Sequence, residues 1–158
     1  MSIWPETLVL LALVGSALMA GTFFIFSTTI MQSLAKLPHG EGIRAMQSIN
    51  RVILNPLFLG AFMGTALLSL VIGILAFIGW GPLGSHWFLS GACLYLFGCF
   101  FYTVVRNVPL NDELEKVEPE QADEFWSFYL QHWTRRNHNR TVASMLAVIL
   151  YAIGLIQG

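Results

Sequence analysis

The fold is decided by residues 52–105, VILNPLFLGAFMGTALLSLVIGILAFIGWGPLGSHWFLSGACLYLFGCFFYTVV, a run of 54 residues without a charged side chain. A bilayer core is crossed by about 20 apolar residues in one helix, which satisfies its own backbone hydrogen bonds. Residues 79–86 interrupt the run with three glycines and a proline, a composition typical of turns. The run therefore predicts two transmembrane helices, about 54–78 and 87–106.

Two further uncharged stretches complete the predicted membrane domain. One begins after Glu6 and the other after Arg140, and both are rich in apolar residues. They predict transmembrane helices over about 7–30 and 138–157. We therefore expect an all-α fold, an integral membrane four-helix bundle that forms a single domain over residues 1–158.

The composition favours a membrane protein and excludes other classes. The chain has 158 residues, of which 56% are hydrophobic and 11% are charged, whereas soluble domains carry roughly 25% charged residues. The formal net charge of -1 creates no basic field that would attract nucleic acid. Cys93 and Cys99 lie in one apolar run and give no disulfide framework. The bilayer is the partner that the composition predicts.

The basic residues predict the orientation in the membrane. All eight lysines and arginines fall in or beside the loops that follow the first and third spans. Such residues are enriched in cytoplasmic loops. We therefore expect a multi-pass protein of the cell (inner) membrane, with loops 1 and 3 in the cytoplasm and both termini outside.

Both cytoplasmic loops are predicted to contain helical extensions. In loop 1, residues 43–55 have apolar positions at helical spacing, which places Asn50 on the apolar face. In loop 3, Pro109 predicts that the third helix ends at Asn107, and Asn111 is the predicted cap of a short helix that follows.

The fourth helix is predicted to begin outside the membrane and to carry one distinctive face. Pro119 is a plausible first helical residue, and neither glycine nor proline follows until Gly154. Positions three and four apart then form one stripe: Trp126, Leu130, Trp133, Asn137, Arg140 and Ser144. An arginine at this depth needs partners or a wet cavity, so we expect the stripe to face the bundle interior.

The polar residues at the cytoplasmic end predict a binding pocket. Amide and guanidinium groups there can hydrogen-bond a flat, oxygen-bearing ligand between indole rings. The candidates are Gln47, Asn50, Asn107, Asn111, Trp126, Trp133, Asn137 and Arg140, with Phe23 and Ser27 on one face of the first helix. The alternative is structural, with asparagines as helix caps, the arginine as a boundary marker and the tryptophans as an interfacial belt.

No metal or haem site is predicted. His132 and His138 are six residues apart on one helix, so they point in different directions and cannot share a metal. No carboxylate lies within a span, which excludes the di-iron carboxylate pattern of helix bundles.

Three blocks of the chain resemble the signature segments of the anthrone oxygenase-like family of small four-helix membrane proteins. They are MQSINR at residues 46–51, NVPLN at residues 107–111, and Trp133-x3-Asn137-x2-Arg140-Thr141. Characterised members of that family convert anthrones to anthraquinones with dioxygen, without a metal or flavin. The resemblance implies an oxidoreductase that acts on a hydrophobic aromatic, anthrone- or quinone-like substrate and needs no cofactor.

The resemblance also implies roles for the candidate residues. Arg140, Asn50 and Asn107 would stabilise the negative charge of an enolate, and the remaining candidates would hold the substrate. No general base lies on the stripe, since His132 and His138 face away from it.

A second interpretation needs no base. In that interpretation the chain is a non-catalytic membrane subunit whose pocket binds a lipid, a quinone or a partner membrane protein. Gly60 and Gly64 in the second span have the spacing of helix–helix contacts, which makes a homo-oligomer possible.

Overall fold

The computed structural model describes residues 4–79, 86–118 and 123–157. Within these ranges the chain forms five helices and no strand: α1 (Pro5–Leu34), α2 (His39–Val52), α3 (Pro56–Phe77), α4 (His86–Glu115) and α5 (Asp123–Gln157). All of them except α2 are long and apolar enough to cross a membrane, which confirms the all-α, multi-pass architecture. The turn predicted around residues 80–85 and the helix start predicted at Pro119 lie outside the described residues.

The four long helices pack as a bundle. Helix α1 contacts α3 and α5, and α4 closes the ring by contacting the same two helices. Small and apolar side chains fill the interior, while large apolar residues such as Leu18, Leu67 and Ile149 are exposed on the outside. An apolar exterior is what lipid requires of a spanning helix.

The fourth predicted span is confirmed as one unbroken helix of 35 residues, α5. Its predicted stripe faces inward, because every member is buried except Leu130, which is half-buried. Helix α2 confirms the helical extension in loop 1 and packs one face against the rest of the protein. Helix α2 ends before α3 begins, and the Asn55 side chain caps α3 by accepting a hydrogen bond from the backbone N–H of Phe58 at 3.0 Å.

The third predicted span corresponds to α4, which is longer than the sequence pattern predicts. It continues past residue 106 and through Pro109 to Glu115, so the predicted C-terminal cap at Asn107 and the separate helix capped by Asn111 are both wrong. Proline in a helix removes a hydrogen bond and clashes with a preceding carbonyl. The segment before it, Thr103–Asn107, is π-helical, and the wider turn repositions those carbonyls.

Two apolar clusters form the core. The cluster in the middle of the bundle includes Met19, Phe62 and Tyr95. The second cluster lies at the end of the bundle that carries α2, called here the loop end. It includes Met46 and Trp133 and joins α2 to the ends of α1, α4 and α5. The boundary between the two clusters is where the candidate site lies.

A close approach of α1 and α3 depends on a glycine and gives a stability prediction. A Cβ at Gly15 would lie 1.9 Å from Oγ1 of Thr65, whereas a Cβ at Gly21 on the same helix meets nothing within 4 Å. Threonine is stiff at χ1, so we expect Gly15→Ala to lower the unfolding free energy by about 1–3 kcal/mol, as overpacking does. Thermal unfolding in detergent measures the change.

Gly21→Ala is the matched control. It adds the same methyl group on an exposed surface and removes backbone freedom from the unfolded chain, so its stability should stay equal or rise. Equal stability of the two variants would contradict the tight contact at Gly15.

Candidate functional site

A cavity lies at the loop end of the bundle, where all five helices contribute to its wall. Its volume is about 140 Å³. The aromatic part of its lining consists of Phe23, Phe26, Phe58, Phe62 and Trp133. The polar part consists of Thr22, Asn50, Thr103, Asn111 and Arg140. An apolar cavity with a few convergent polar groups is typical of a small-molecule site.

Arg140 is the charged residue of the cavity wall. Its side chain is only 5% exposed, and the guanidinium carbon lies 4.2 Å from the ring centroid of Phe23 and 5.3 Å from that of Trp133. Ring faces attract a cation, more strongly when water is excluded. The terminal nitrogens donate to Oδ1 of Asn137 at 2.6 Å and to Oγ1 of Thr103 at 3.4 Å. Among the described residues, Nε has no hydrogen-bond partner.

The charge of Arg140 is not neutralised by a nearby carboxylate of the described chain. The ion pairs seen there join Arg51 to Glu115 at 3.0 Å and His39 to Asp123 at 2.7 Å, and both are on the surface. Ring faces and neutral dipoles therefore carry the whole stabilisation of this buried cation.

Asn137 positions Arg140 and does not line the cavity. Its Nδ2 donates to the backbone carbonyl of Phe23 at 2.6 Å and to Oγ of Ser27 at 2.7 Å, while its Oδ1 accepts from Arg140. The amide is completely buried. Two predicted substrate-binding residues, Asn137 and Ser27, thus lie behind the guanidinium and tie α1 to α5.

Asn111 fixes the indole wall of the cavity. Its Oδ1 accepts hydrogen bonds from Nε1 of Trp133 and from the hydroxyl of Tyr129, both at 2.9 Å. Because α4 continues beyond Asn107, this amide reaches the stripe of α5. The same oxygen is consequently unavailable as an additional acceptor for a ligand.

Besides Asn137 and Ser27, three predicted site residues lie outside the cavity lining. Gln47 donates to the carbonyls of Leu114 and Val117 at 2.9 and 3.2 Å and so fastens α2 to the end of α4. Trp126 is buried against Gly42, where a Cβ would lie 2.8 Å from the indole. Asn107 is 1% exposed, and neither polar atom of its side chain has a partner within the described ranges.

The structure also adds cavity residues that the sequence analysis did not select. They are mainly Thr103 on α4 and the phenylalanines Phe26, Phe58 and Phe62. Phe58 and Phe62 are one helical turn apart and stack with ring centroids 6.1 Å apart. The i, i+4 spacing was visible in the sequence, but it does not distinguish an inward pair from a lipid-facing pair.

Neither a carboxylate nor an imidazole lines the cavity in the described part of the chain. His132 interacts with the carbonyl of Phe128 and stacks on its ring, and His138 is exposed. In the same part of the chain, no group of three or more His, Cys, Asp or Glu residues could hold a metal ion.

The fold and this cavity define a class of small multi-pass membrane proteins with an arginine-centred, aromatic-lined site. The family model described as anthrone oxygenase matches residues 57–150, more than half of the chain, so the chain belongs to the anthrone oxygenase family. No curated protein and no solved structure matches it. The matched range includes Asn107, Asn111, Trp133 and Arg140, whereas Asn50 lies before it.

The role of Asn137 can be tested by its removal. We expect Asn137→Ala to lower the unfolding free energy by about 1–3 kcal/mol, because the buried guanidinium loses its 2.6 Å acceptor and Ser27 loses the amide that donates to it. Chemical or thermal unfolding in detergent, followed by circular dichroism, measures this.

Asn139→Ala is the control, since Asn139 is exposed and bonds the hydroxyl of Tyr102 at 2.9 Å. Loss of such a surface contact should cost less than about 0.5 kcal/mol. Similar losses in both variants would argue against a special role for the buried amide.

Proposed function

We propose that the chain is a membrane-embedded, cofactor-independent oxidoreductase that uses dioxygen to oxidise a hydrophobic aromatic, anthrone- or quinone-like substrate. The observation that carries this proposal is the guanidinium of Arg140, buried in a cavity between the rings of Phe23 and Trp133. Membership of the anthrone oxygenase family supports it.

The chemistry of an anthrone suits a site that supplies electrostatics. Its methylene group is acidic because the conjugate base is an enolate conjugated with two rings. The enolate is electron-rich and can reduce dioxygen. One oxygen atom becomes the new carbonyl of the anthraquinone and the other leaves as water, so that anthrone and dioxygen balance with anthraquinone and water.

The lining residues have roles that follow from their chemistry. Arg140 would stabilise the enolate oxygen, an interaction that is strong where water is excluded, and Asn50 would donate from its Nδ2. Phe23 and Trp133 would hold a ring, since a cavity of roughly 150 Å³ accommodates one benzene ring. Asn107 stays a candidate donor because its buried amide is unpartnered within the described ranges.

The remainder of a polycyclic substrate would extend towards the lipid. Leu54 and Val108 line the cavity and are themselves exposed, so this side is apolar up to the surface. We infer from the basic loops at this end of the bundle that it faces the cytoplasm and that both termini lie outside the cell membrane. A hydrophobic substrate would then reach the cavity from the inner leaflet.

The second candidate function is a non-catalytic subunit that binds a lipid, a quinone or a partner membrane protein in the same cavity. The absence of a carboxylate or imidazole from the described lining favours it, because proton abstraction ordinarily needs a general base. A bound ligand in purified protein, identified by mass spectrometry, without turnover would support this function.

Turnover of emodin anthrone distinguishes the two functions. We expect purified protein in detergent with dioxygen to form the anthraquinone faster than the spontaneous reaction, followed by its visible absorbance. Arg140→Ala should lower kcat by about 100- to 1,000-fold, as removal of an oxyanion donor does.

Arg135→Ala is the matched control because it removes a positive charge from an exposed position of the same helix. Its rate should stay within about twofold of the wild-type rate, as expected of a surface change. A wild-type rate no faster than the spontaneous oxidation would count against the enzyme.

A further inference from the structure

In the described part of the chain, the amide acceptors of Asn111 and Asn137 have hydrogen-bond partners, whereas two buried donors of the cavity lining have none. The amide acceptor of Asn111 is occupied by Trp133 and Tyr129, and that of Asn137 behind the wall is occupied by Arg140. The unpartnered buried groups in the described lining are donors, namely Nε of Arg140 and Nδ2 of Asn50. A ligand that completes this set must therefore supply an acceptor.

The charge of the cavity points in the same direction. A buried arginine ordinarily faces a carboxylate, since an unpaired charge away from water is costly. An adjoining surface depression is lined by the charged residues Arg51, Asp112 and Glu115. Arg51 and Glu115 already neutralise each other. Asp112 is exposed and does not line the cavity, so Arg140 gives the cavity lining a net positive charge.

No titratable group beside Arg140 offsets that charge at neutral pH. The titratable side chains that act on it are Cys99 and Tyr102 from α4 and Tyr129 from α5. Thiol and phenol groups are uncharged at pH 7. None of the lining residues contributed by α1, α2 or α3 is titratable.

We propose that the cavity is an anion site that takes its aromatic ligand already ionised, as a phenolate or enolate formed before it enters the cavity. The aromatic nature of the ligand rests on the proposed function, whereas the anionic nature rests on the donors and the charge of the cavity. The ionised oxygen accepts from Nε of Arg140 and Nδ2 of Asn50. A protein that selects the conjugate base needs no general base of its own.

Binding by wild-type protein tests this without any turnover. The probes are 2-hydroxyanthraquinone, which ionises, and 2-methoxyanthraquinone, which has a similar shape and stays neutral. Quenching of tryptophan fluorescence in detergent gives the Kd at each pH, because Trp133 forms part of the wall. A charge-assisted hydrogen bond predicts that the ionised hydroxy compound binds about tenfold or more tightly than the methoxy compound.

The pH dependence should follow the ligand and not the protein. Affinity for 2-hydroxyanthraquinone should rise as the pH approaches the pKa of its phenol and then level off, while the methoxy compound should show no such change. Equal affinities for both compounds, or a profile unrelated to ionisation of the phenol, would overturn the proposal. Displacement of the probe by equimolar palmitate would assign the site to a lipid carboxylate and would overturn the aromatic ligand.

Substitutions locate the charge that is responsible. Arg140→Gln should abolish the preference for the ionised probe, Arg140→Lys should retain part of it, and Arg135→Gln should leave it unchanged. If the variants at Arg140 fail to fold, the comparison of the two probes on wild-type protein still decides. Loss of the preference in Arg135→Gln would overturn the assignment to Arg140.

The outcome is separable from that of the proposed function. Tight binding of the ionised probe without oxidation of emodin anthrone would refute the oxygenase and leave the anion site standing. Oxidation with equal binding of both probes would refute the anion site alone.

Discussion

The structure depends on the burial of one guanidinium at the boundary between its two apolar clusters. Arg140 lies on α5, donates to Thr103 of α4 and is held by Asn137, which in turn bonds the carbonyl of Phe23 on α1. Three spanning helices are therefore joined through one charged group. Such a charge is costly near a membrane interior, so the contacts that hold it bear on the packing of all three helices. Both helices that meet it, α1 and α4, are π-helical beside the contact, a distortion common at functional sites.

Much of this architecture follows from the sequence because a membrane reduces folding to a nearly one-dimensional problem. Uninterrupted apolar stretches of this length specify spanning helices, since a helix satisfies its backbone hydrogen bonds within one segment. The inward face of α5 was equally predictable, because Trp133, Asn137 and Arg140 repeat at helical spacing and a charge cannot face lipid at low cost. Trp133 and Arg140 line the cavity, and Asn137 positions the guanidinium of Arg140.

The remainder depends on how the helices approach one another, which the sequence of one helix does not contain. Pro109 is normally a reliable helix stop, yet the π-helical segment before it lets α4 continue, and only this continuation brings Asn111 to the indole of Trp133. Gln47 was predicted as a ligand-binding residue because it belongs to the polar set at one end of the bundle, but its amide donates to the carbonyls of Leu114 and Val117 at the end of α4. For an amide side chain, the choice between a ligand and a backbone partner is made by tertiary packing.

The two halves of the cavity differ in a way that bears on specificity. The half within the family match supplies the cation, the indole and the amide that orients it, all on α4 and α5. The other half comes from α1, α2 and the junction between α2 and α3, where Leu54 lines the cavity while 64% of it is exposed. Helix α2 ends at Val52, the backbone N–H of Ile53 still donates to the carbonyl of Ile49 at 2.9 Å, and Asn55 caps α3. In the proposed function, the charged half would stabilise the ligand oxygen, and the junction would limit the shape of the apolar molecule that reaches it.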